Sequence, residues 1–482
     1  MPQGAKWILR AAVLLGFMLI RVWHLDADAP SWLSWSTGTL TDEGYYSLDA
    51  RHTVLFGQIA PGNFHDSLLS PLLYEFERVW FGAFGTSLVA LRSLSVAGSL
   101  ASICLIWYIA HRRTDGLADT IAILYGLNPL SVFYSRLGLQ ESIAGMVVLL
   151  GIAIAMSPKP NMLLSFMSGV VGGCAIFVKS LAVLGLVWFL PFRTTTSDAK
   201  VDRWRFLMPC LGASMALLTY FLVWFGPHHV ELLRMGKYYR IHQFAPHTIH
   251  SLLLNMVRAL DNEQRGVVPY LLRTSPVLLV SAIACIISGV LRRSEADGLL
   301  KKFAAWLTMG LAFCFVSSYA PSRYYILFLP AMVFVGVSYI SSFRSEWRNV
   351  AILASAFVCM AWDVCGLMNS TYSVSHAQAT VRNNTRPGST LIGEFGPELA
   401  IGSELRSAPV QPGLSNDMNP IEKTGADYVA VTRNAYWQNW WHAHASGRIS
   451  WNRPLFSVTL NGSSEYIVDV YEIRRLTESG LK

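Results

Sequence analysis

Long apolar runs recur along this chain and constrain its fold more than any other feature of the sequence. About eleven runs are long enough to cross a bilayer, whose hydrocarbon core of about 30 Å takes about 20 helical residues. Of the 482 residues, 53% are hydrophobic and only 14% are charged, whereas about a quarter of the residues of a soluble domain are charged. The sequence therefore predicts a polytopic α-helical membrane protein. The predicted spans lie near residues 7–24, 88–110, 117–134, 141–157, 161–178, 180–192, 206–226, 274–291, 303–319, 324–342 and 349–367.

Lysine and arginine residues indicate the orientation of the chain. Short cytoplasmic loops of membrane proteins carry an excess of these residues. With the N-terminus in the cytoplasm, Lys6, Arg10, Arg112, Arg344 and Arg348 all fall on that side. We expect a multi-pass protein of the plasma (cytoplasmic) membrane. Its net charge of +8 is interpreted as a signal of membrane orientation. No nucleic-acid partner is predicted, because the sequence shows no basic soluble face.

The distribution of the apolar runs divides the chain into two parts. Residues 1–367 form the predicted membrane domain, in which residues 25–87 and 227–273 make two long outer loops. Long loops in compact proteins are usually functional or disordered, and the aromatic and apolar residues of these two favour function. Residues 368–482 form a predicted small extracytoplasmic α/β domain. Its β-like runs lie at residues 390–393, 428–431, 456–460 and 466–470.

Two adjacent carboxylates, Asp42 and Glu43, lie in the first outer loop, just beyond the first apolar run. A pair outside the bilayer but near its surface suggests acid/base or metal chemistry on a membrane-associated substrate. Asp42 and Glu43 are therefore the predicted catalytic residues. The sequence leaves open whether a divalent metal takes part, and it indicates no other cofactor; if a metal binds, the same two side chains are its predicted ligands.

Three cations lie at the predicted outer ends of apolar runs. Arg136 lies in a turn that also contains Glu141, Lys179 separates two apolar runs, and Arg323 is followed by Tyr324. Each cation alone has an ordinary explanation, because an arginine at a helix end often extends to the interface or pairs with a neighbour. Together with the two carboxylates, these cations are what the transfer of a sugar from a lipid phosphate requires. Cations stabilise the departing phosphate, and a carboxylate takes the proton of the acceptor hydroxyl.

Three further side chains are candidates for a supporting role. Glu141 can pair with Arg136 across the turn and orient it, and Tyr324 adjoins Arg323. His65, next to Asp66 in the first outer loop, could assist catalysis, although a solvated pair is the simpler interpretation.

The order of these motifs resembles the GT-C glycosyltransferases, in particular the protein mannosyltransferase and aminoarabinose (lipid A) transferase group. The resemblance covers the whole membrane domain. It rests on Asp42 to Tyr46, Ser70-Pro71 before an apolar helix, Tyr134-Ser135-Arg136, Phe177-Val178-Lys179-Ser180 and Arg323-Tyr324.

The resemblance implies transfer of one sugar from a polyprenyl-phosphate donor to an acceptor on the outer face, with inversion at the anomeric carbon. It further implies that Asp42 is the catalytic carboxylate and Glu43 its partner. The implied donor-phosphate contacts are Arg136, Lys179 and Arg323. The chain departs from the family pattern at Gln140-Glu141, where an aspartate often follows the arginine, and at Ser180, where a glycine often follows the lysine.

The predicted function is therefore an integral-membrane glycosyltransferase that acts on an acceptor hydroxyl. Its predicted partners are the polyprenyl-phosphate-linked donor, a lipid, glycan or protein acceptor, and membrane lipids. The alternative is a transporter or flippase of a lipid-linked sugar. That function favours inverted repeats and charges near the bilayer midplane, whereas the charges here cluster at the outer ends of the runs.

Overall fold

A computed structural model gives the structure of the chain. It describes residues 3–112, 116–158, 161–190, 201–239, 248–261, 266–288, 298–445, 447–460 and 466–474, without the side chains of residues 3, 201–206, 238 and 239. The ends of the predicted spans 180–192 and 274–291 lie outside the described residues. So do residues 240–247 and 262–265 of the second predicted outer loop.

Helices dominate the first 368 residues, and every predicted apolar run contains helical residues. In chain order the α-helices of the described residues in this part are α1 Gln3–Val22, α2 Gly38–Tyr46, α3 Leu48–Phe56, α4 Asp66–Leu69, α5 Pro71–Phe84, α6 Leu88–His111, α7 Ala118–Gly126, α8 Pro129–Ser135, α9 Gln140–Ala155, α10 Met162–Gly173, α11 Val201–Thr219, α12 His229–Tyr239, α13 Ile249–Leu260, α14 Val267–Thr274, α15 Pro276–Ile287, α16 Gly298–Val316, α17 Leu329–Ile340 and α18 Ser345–Met368. Short 3₁₀-helices span Cys174–Phe177, Ser180–Phe189 and Ser322–Leu327, and a π-helix spans Tyr220–Phe225.

Four helical segments of the described residues are long and apolar enough to cross a membrane, or five if the bent pair of α8 and α9 is one span. The predicted count of about eleven is therefore not confirmed. One reason is that predicted runs are split. The run 117–134 breaks at Asn128, whose side chain accepts a hydrogen bond from Leu130 N at 3.1 Å, and Pro129 has no N–H to continue α7. The four segments are Leu88–His111, Leu207–Phe225, Gly298–Val316 and Ser345–Asn384.

The membrane domain is built around one large apolar core. Ile103 of α6, Ile121 of α7 and Ile152 of α9 are fully buried in it, together with Leu279 of α15 and Val333 of α17. Other apolar side chains point outward, most clearly along α18, where they are exposed over several turns. An outward apolar face of this extent is typical of a surface that contacts lipid.

The C-terminal part contains a mixed five-stranded sheet in the order β2-β1-β3-β5-β4. The predicted runs at 390–393, 428–431, 456–460 and 466–470 all form strands, whereas β2 was missed by the prediction because its Arg-Ser-Ala-Pro sequence lacks β-branched and aromatic residues. As an edge strand, β2 tolerates Pro409. The elements are α19 Ser373–Asn384, β1 Thr390–Gly393, α20 Gly396–Leu399, β2 Arg406–Pro409, α21 Pro420–Thr424, β3 Tyr428–Thr432, α22 Ala435–Ala445, β4 Phe456–Thr459 and β5 Ile467–Glu472.

The first outer loop docks onto this sheet domain. Leu40, Ala50 and Phe81 of the loop are buried in the same apolar cluster as side chains of the sheet. The buried Arg51 donates hydrogen bonds to the carbonyls of Ser403 and Leu405 at 2.8 and 2.7 Å. Because the loop shares a core with the C-terminal domain, α2 is fixed between that domain and the membrane helices.

Candidate functional site

A cavity of about 480 Å³ lies where the first outer loop, the membrane domain and the C-terminal domain meet. Asp42 of α2, Lys179, Arg323 and Glu394 are among the residues that line it. They come from four segments that are far apart in sequence. The fold therefore brings two predicted cations and one predicted carboxylate into a single space.

Asp42 and Arg323 form an ion pair in this cavity. Oδ2 of Asp42 lies 2.9 Å from Nη1 of Arg323, and their side chains are 18% and 6% exposed. Gly38, one turn before Asp42, makes the approach possible, because a Cβ at this position would overlap Arg323 Nη1 and lie 2.6 Å from Asp42 Oδ2. Burial raises the pKa of Asp42 despite the opposing effect of Arg323. Asp42 is therefore a more basic carboxylate than an exposed aspartate.

Lys179 supplies the second cation, at a break between two 3₁₀-helices. Its backbone is extended, with φ −154° and ψ 123°, immediately before the helix Ser180–Phe189. Its Nζ lies 2.7 Å from Oε1 of Glu141 and 4.9 and 5.5 Å from the ring centroids of Tyr324 and Tyr46. The carboxylate and the two aromatic faces stabilise a lysine that has little contact with water.

Glu141 bridges the two cations. It lies in the first turn of α9, and its Oε1, which binds Lys179, is also 3.6 Å from Nε of Arg323. The structure thus differs from the predicted pairing of Glu141 with Arg136. Glu141 holds Lys179 and Arg323 beside each other. Its supporting role stays a prediction, with these two residues as its partners in place of Arg136.

Glu43, the predicted catalytic partner, does not line the cavity. Its carboxylate accepts hydrogen bonds from Arg92 Nε and Nη2 at 2.8 and 2.6 Å and from Gly138 N at 2.6 Å. Glu43 and Arg92 are each 1% exposed. Adjacent helix residues point about 100° apart, so Asp42 faces the cavity while Glu43 faces α6. This geometry gives Glu43 a structural contact in place of the predicted catalytic one.

Arg136, a predicted donor-phosphate contact, also lies outside the cavity lining. Its guanidinium donates to the carbonyls of Ile20, Trp23 and His24 at 2.9, 2.6 and 2.8 Å. Terminal helix carbonyls lack intrahelical partners, and Arg136 binds carbonyls at and just beyond the end of α1. The structure therefore places Arg136 in a helix-capping position, and its predicted phosphate contact stays a prediction.

His65, another predicted site residue, also lies outside the cavity lining. Its Nδ1 lies 3.3 Å from Oδ1 of the buried Asp49. Although burial raises the pKa of Asp49, hydrogen bonds from His65 and Ser67 more than offset that effect and lower it. His65 thus stabilises the first outer loop, away from the cavity.

Asp42 and Glu43, the predicted metal ligands, do not face one shared position. Both Glu43 oxygens accept hydrogen bonds from Arg92 or Gly138, whereas Asp42 faces Arg323. Across the described ranges, no three His, Cys, Asp or Glu side chains are grouped so that they could hold a metal ion. These residues do not fit a shared divalent ion, and metal dependence stays an untested expectation.

Several cavity residues were missed by the sequence analysis. Tyr46 and Tyr324 flank Lys179, and only Tyr324 was predicted to support the site. Glu394 and Gln411 reach the cavity from the C-terminal domain, to which no role was assigned. The position of Glu394 directly after a predicted strand was an available signal, because functional side chains often follow the carboxyl ends of strands.

No protein-family model matches the chain, and no curated protein matches it in sequence. Solved structures do match it in fold. The crystal structure of ArnT from Cupriavidus metallidurans bound to undecaprenyl phosphate has a TM-score of 0.62 at 12% identity, covering 98% of both chains. The apo form of the same ArnT has a TM-score of 0.57 at 14% identity, covering 97% of this chain and 98% of that one.

An archaeal enzyme extends this likeness. The Archaeoglobus fulgidus oligosaccharyltransferase, tethered to an acceptor peptide, has a TM-score of 0.52 at 10% identity, covering 88% of this chain and 69% of that chain. ArnT and this oligosaccharyltransferase are both GT-C glycosyltransferases. The chain therefore has a GT-C fold, and the predicted resemblance is confirmed at the level of fold.

Proposed function

We propose that this protein is an integral-membrane glycosyltransferase that transfers one sugar from a polyprenyl-phosphate donor to an acceptor hydroxyl, with inversion. The observation that carries the proposal is the convergence of Asp42, Lys179 and Arg323 on one cavity. The cavity thus holds a basic carboxylate beside two fixed cations. A glycosyltransferase uses both, one to accept a proton and the others to receive the leaving phosphate.

Lys179 and Arg323 are the proposed donor-phosphate contacts. When the bond between the anomeric carbon and the phosphate oxygen breaks, its electron pair stays on the phosphate and increases the negative charge there. Cations that are already in place stabilise this charge more than they stabilise the ground state. Glu141 keeps both cations close together, with its Oε1 at 2.7 Å from Lys179 Nζ.

Asp42 is the proposed base. As the acceptor oxygen forms its bond to the anomeric carbon, its proton passes to the Asp42 carboxylate. Burial raises the pKa of this group, which increases its affinity for that proton. The ion pair with Arg323 keeps the carboxylate oriented toward the cavity before the substrates arrive.

The lipid chain of the donor has an apolar path into the same cavity. Leu181, Tyr220, Phe225 and Leu232 line it. Tyr220 and Phe225 belong to a helical segment that is apolar enough to cross a membrane. We propose that the polyprenyl chain lies along this side while its phosphate meets Lys179 and Arg323.

The comparisons support the donor class and the membrane location. ArnT was crystallised with undecaprenyl phosphate, and the oligosaccharyltransferase with an acceptor peptide. We propose the corresponding partners here, namely a polyprenyl-phosphate-linked sugar, a lipid, glycan or protein acceptor, and membrane lipids. The proposed location is the plasma membrane, with the N-terminus in the cytoplasm and the C-terminal domain outside.

The test is sugar transfer by the purified protein in lipid nanodiscs supplied with a panel of polyprenyl-phosphate sugars and an acceptor-containing membrane extract. Release of free polyprenyl phosphate from at least one donor, lost in the Asp42→Asn protein, is the expected result. A folded wild-type protein that moves a lipid-linked sugar between leaflets, yet releases no polyprenyl phosphate from any donor, would support the alternative transporter function.

A further inference from the structure

The C-terminal domain supplies the outer wall of the cavity. Glu394, Gln411 and Leu414 line the same space as Asp42 and Arg323. The proposed contacts to the donor phosphate and the proposed base all come from the first 367 residues. A contribution of the C-terminal domain would therefore concern a different part of the reaction.

All three residues follow the carboxyl ends of parallel strands. β1 pairs in parallel with both β2 and β3. Glu394 comes directly after β1, and Gln411 and Leu414 come shortly after β2. Ligands of α/β sheets bind outside the carboxyl ends of the strands. The edge of this sheet that is suited to a ligand is thus the edge that faces the cavity.

The backbone and a neighbouring strand fix the position of Glu394. Gly393 has a φ of +134°, which favours glycine, and a Cβ there would overlap the carbonyl oxygen of Ala430. At the end of β3, Thr432 donates a hydrogen bond to Oε2 of Glu394 at 3.2 Å. Burial, partly opposed by this hydrogen bond, raises the pKa of Glu394 to about 7. A carboxyl group offers about four acceptor positions when ionised, so most of its capacity is available to a ligand.

We propose, on the basis of the glycosyltransferase function above, that this edge of the sheet is the acceptor subsite and that Glu394 accepts hydrogen bonds from hydroxyls of a carbohydrate acceptor. The two sides of the cavity differ in charge, and this difference favours a different substrate on each side. Lys179 and Arg323 attract the donor phosphate, and an ionised Glu394 disfavours phosphate at the outer wall.

A side-chain carboxylate suits a ligand with many hydroxyl groups, because it accepts hydrogen bonds from O–H donors. The acceptor would then place its reacting hydroxyl between Glu394 and Asp42. Its proton goes to Asp42, so Glu394 binds the acceptor without taking part in the proton transfer. The carbohydrate could belong to a glycolipid or to a water-soluble glycan.

The experiment measures polyprenyl phosphate release by the full-length protein in nanodiscs, with and without acceptor. The acceptor is one of three fractions of the envelope of the source cells, each in a dilution series: lipid extract, water-soluble glycan, and deglycosylated protein. Release without any fraction reports attack by water. Release added by a fraction reports transfer, and its concentration dependence gives a half-saturating concentration.

At a pH above the pKa of Glu394, where this carboxylate is ionised, we expect Glu394→Gln to raise the half-saturating concentration about tenfold, the effect of weakening hydrogen bonds to a charged group. The change in its half-saturating concentration should exceed any change in its maximal rate. Thr432→Val, which keeps the carboxylate but removes its fixed contact, should give a smaller shift in the same direction. Glu404→Gln is the matched control, because Glu404 is exposed on the same domain and does not line the cavity.

Each outcome decides the proposal. Stimulation by the lipid or the glycan fraction, with the expected shift, supports it and identifies the source of the carbohydrate. Stimulation by deglycosylated protein alone, or by no fraction, overturns it, as does an unchanged half-saturating concentration for Glu394→Gln. If Glu394→Gln fails to fold, a wild-type half-saturating concentration for Thr432→Val overturns it. Failure of the glycosyltransferase function is distinct, since wild-type protein would then release no polyprenyl phosphate even to water.

Discussion

Asp42 and Glu43 are adjacent carboxylates on one short helix, yet the structure places them in opposite settings. Both oxygens of Glu43 accept hydrogen bonds from Arg92 or Gly138, and the side chain is 1% exposed. Asp42 pairs with Arg323 and keeps 18% of its side chain exposed toward a cavity. A buried carboxylate that binds only other groups of the protein stabilises the fold. A carboxylate that lines a cavity remains available to a substrate.

The largest expected effect is the loss of turnover in a variant that lacks the Asp42 carboxylate. Asp42→Asn removes the proposed base, so transfer should fall between about 10²- and 10⁴-fold, the usual contribution of a positioned general base. The measurement is the single-turnover rate of release of polyprenyl phosphate in nanodiscs. Arg323 keeps Glu141 as an anionic neighbour at 3.6 Å, so the melting temperature should fall less than in Glu43→Gln. A variant with normal turnover would remove Asp42 as the base.

Glu43→Gln should instead reduce stability. It leaves Arg92 as an uncompensated buried charge, and breaking a buried ion pair typically costs about 3–5 kcal/mol. The expected result is a markedly lower melting temperature, with a turnover per folded molecule near that of the wild type. A Glu43→Gln protein that melts normally but has lost turnover would show that Glu43 takes part in the chemistry after all.

Lys179→Met tests the cationic side of the cavity. Loss of one preorganised group that stabilises a developing anion typically reduces turnover by about 10²- to 10³-fold. Lys302→Met is the matched control, because Lys302 lies over the ring of Trp188, at 4.3 Å, and does not line the cavity. Equal losses of turnover in the two variants would indicate a general disturbance of the membrane helices.

The pH dependence of release to water should report Asp42. The base must be ionised, so turnover is present above its pKa and is lost as the pH falls through it. Because burial raises this pKa, the midpoint should lie above the value of about 3.9 for an ordinary aspartate. A midpoint at or below that value would contradict the buried setting of Asp42. Omitting the acceptor keeps the proposed binding of the acceptor by Glu394 out of the measurement.

The smallest expected effect is that of His65→Gln. The hydrogen bond between His65 and Asp49 lies away from the cavity, and the His65 side chain is 20% exposed. Loss of a single such hydrogen bond costs about 1 kcal/mol. A slightly lower melting temperature and unchanged turnover are expected. A large loss of turnover without a change in melting temperature would restore the catalytic role that the sequence suggested for His65.

Periodicity and residue order were enough to predict the helical membrane domain, the sheet domain and the convergence of Asp42 with Lys179 and Arg323. They were not enough to separate Asp42 from Glu43. That difference depends on Arg92 and Gly138, which lie far along the chain and become partners only through tertiary packing.

The remaining differences have the same origin. Arg136 looked like a phosphate contact because its place in a turn does not reveal the helix end that it caps. Glu394 was missed because the contact between two domains cannot be read from local sequence patterns. The number of spans could not be predicted from run length alone, because Pro129 splits an apolar run that is long enough to form one helix.

The decisive measurement is an experimental structure of the Asp42→Asn protein in nanodiscs with a bound polyprenyl-phosphate sugar. If the cavity is the site of transfer, the phosphate will lie within about 4 Å of both Lys179 and Arg323, with the sugar next to residue 42. A donor phosphate bound elsewhere on the protein, out of reach of both cations, would contradict the proposed site.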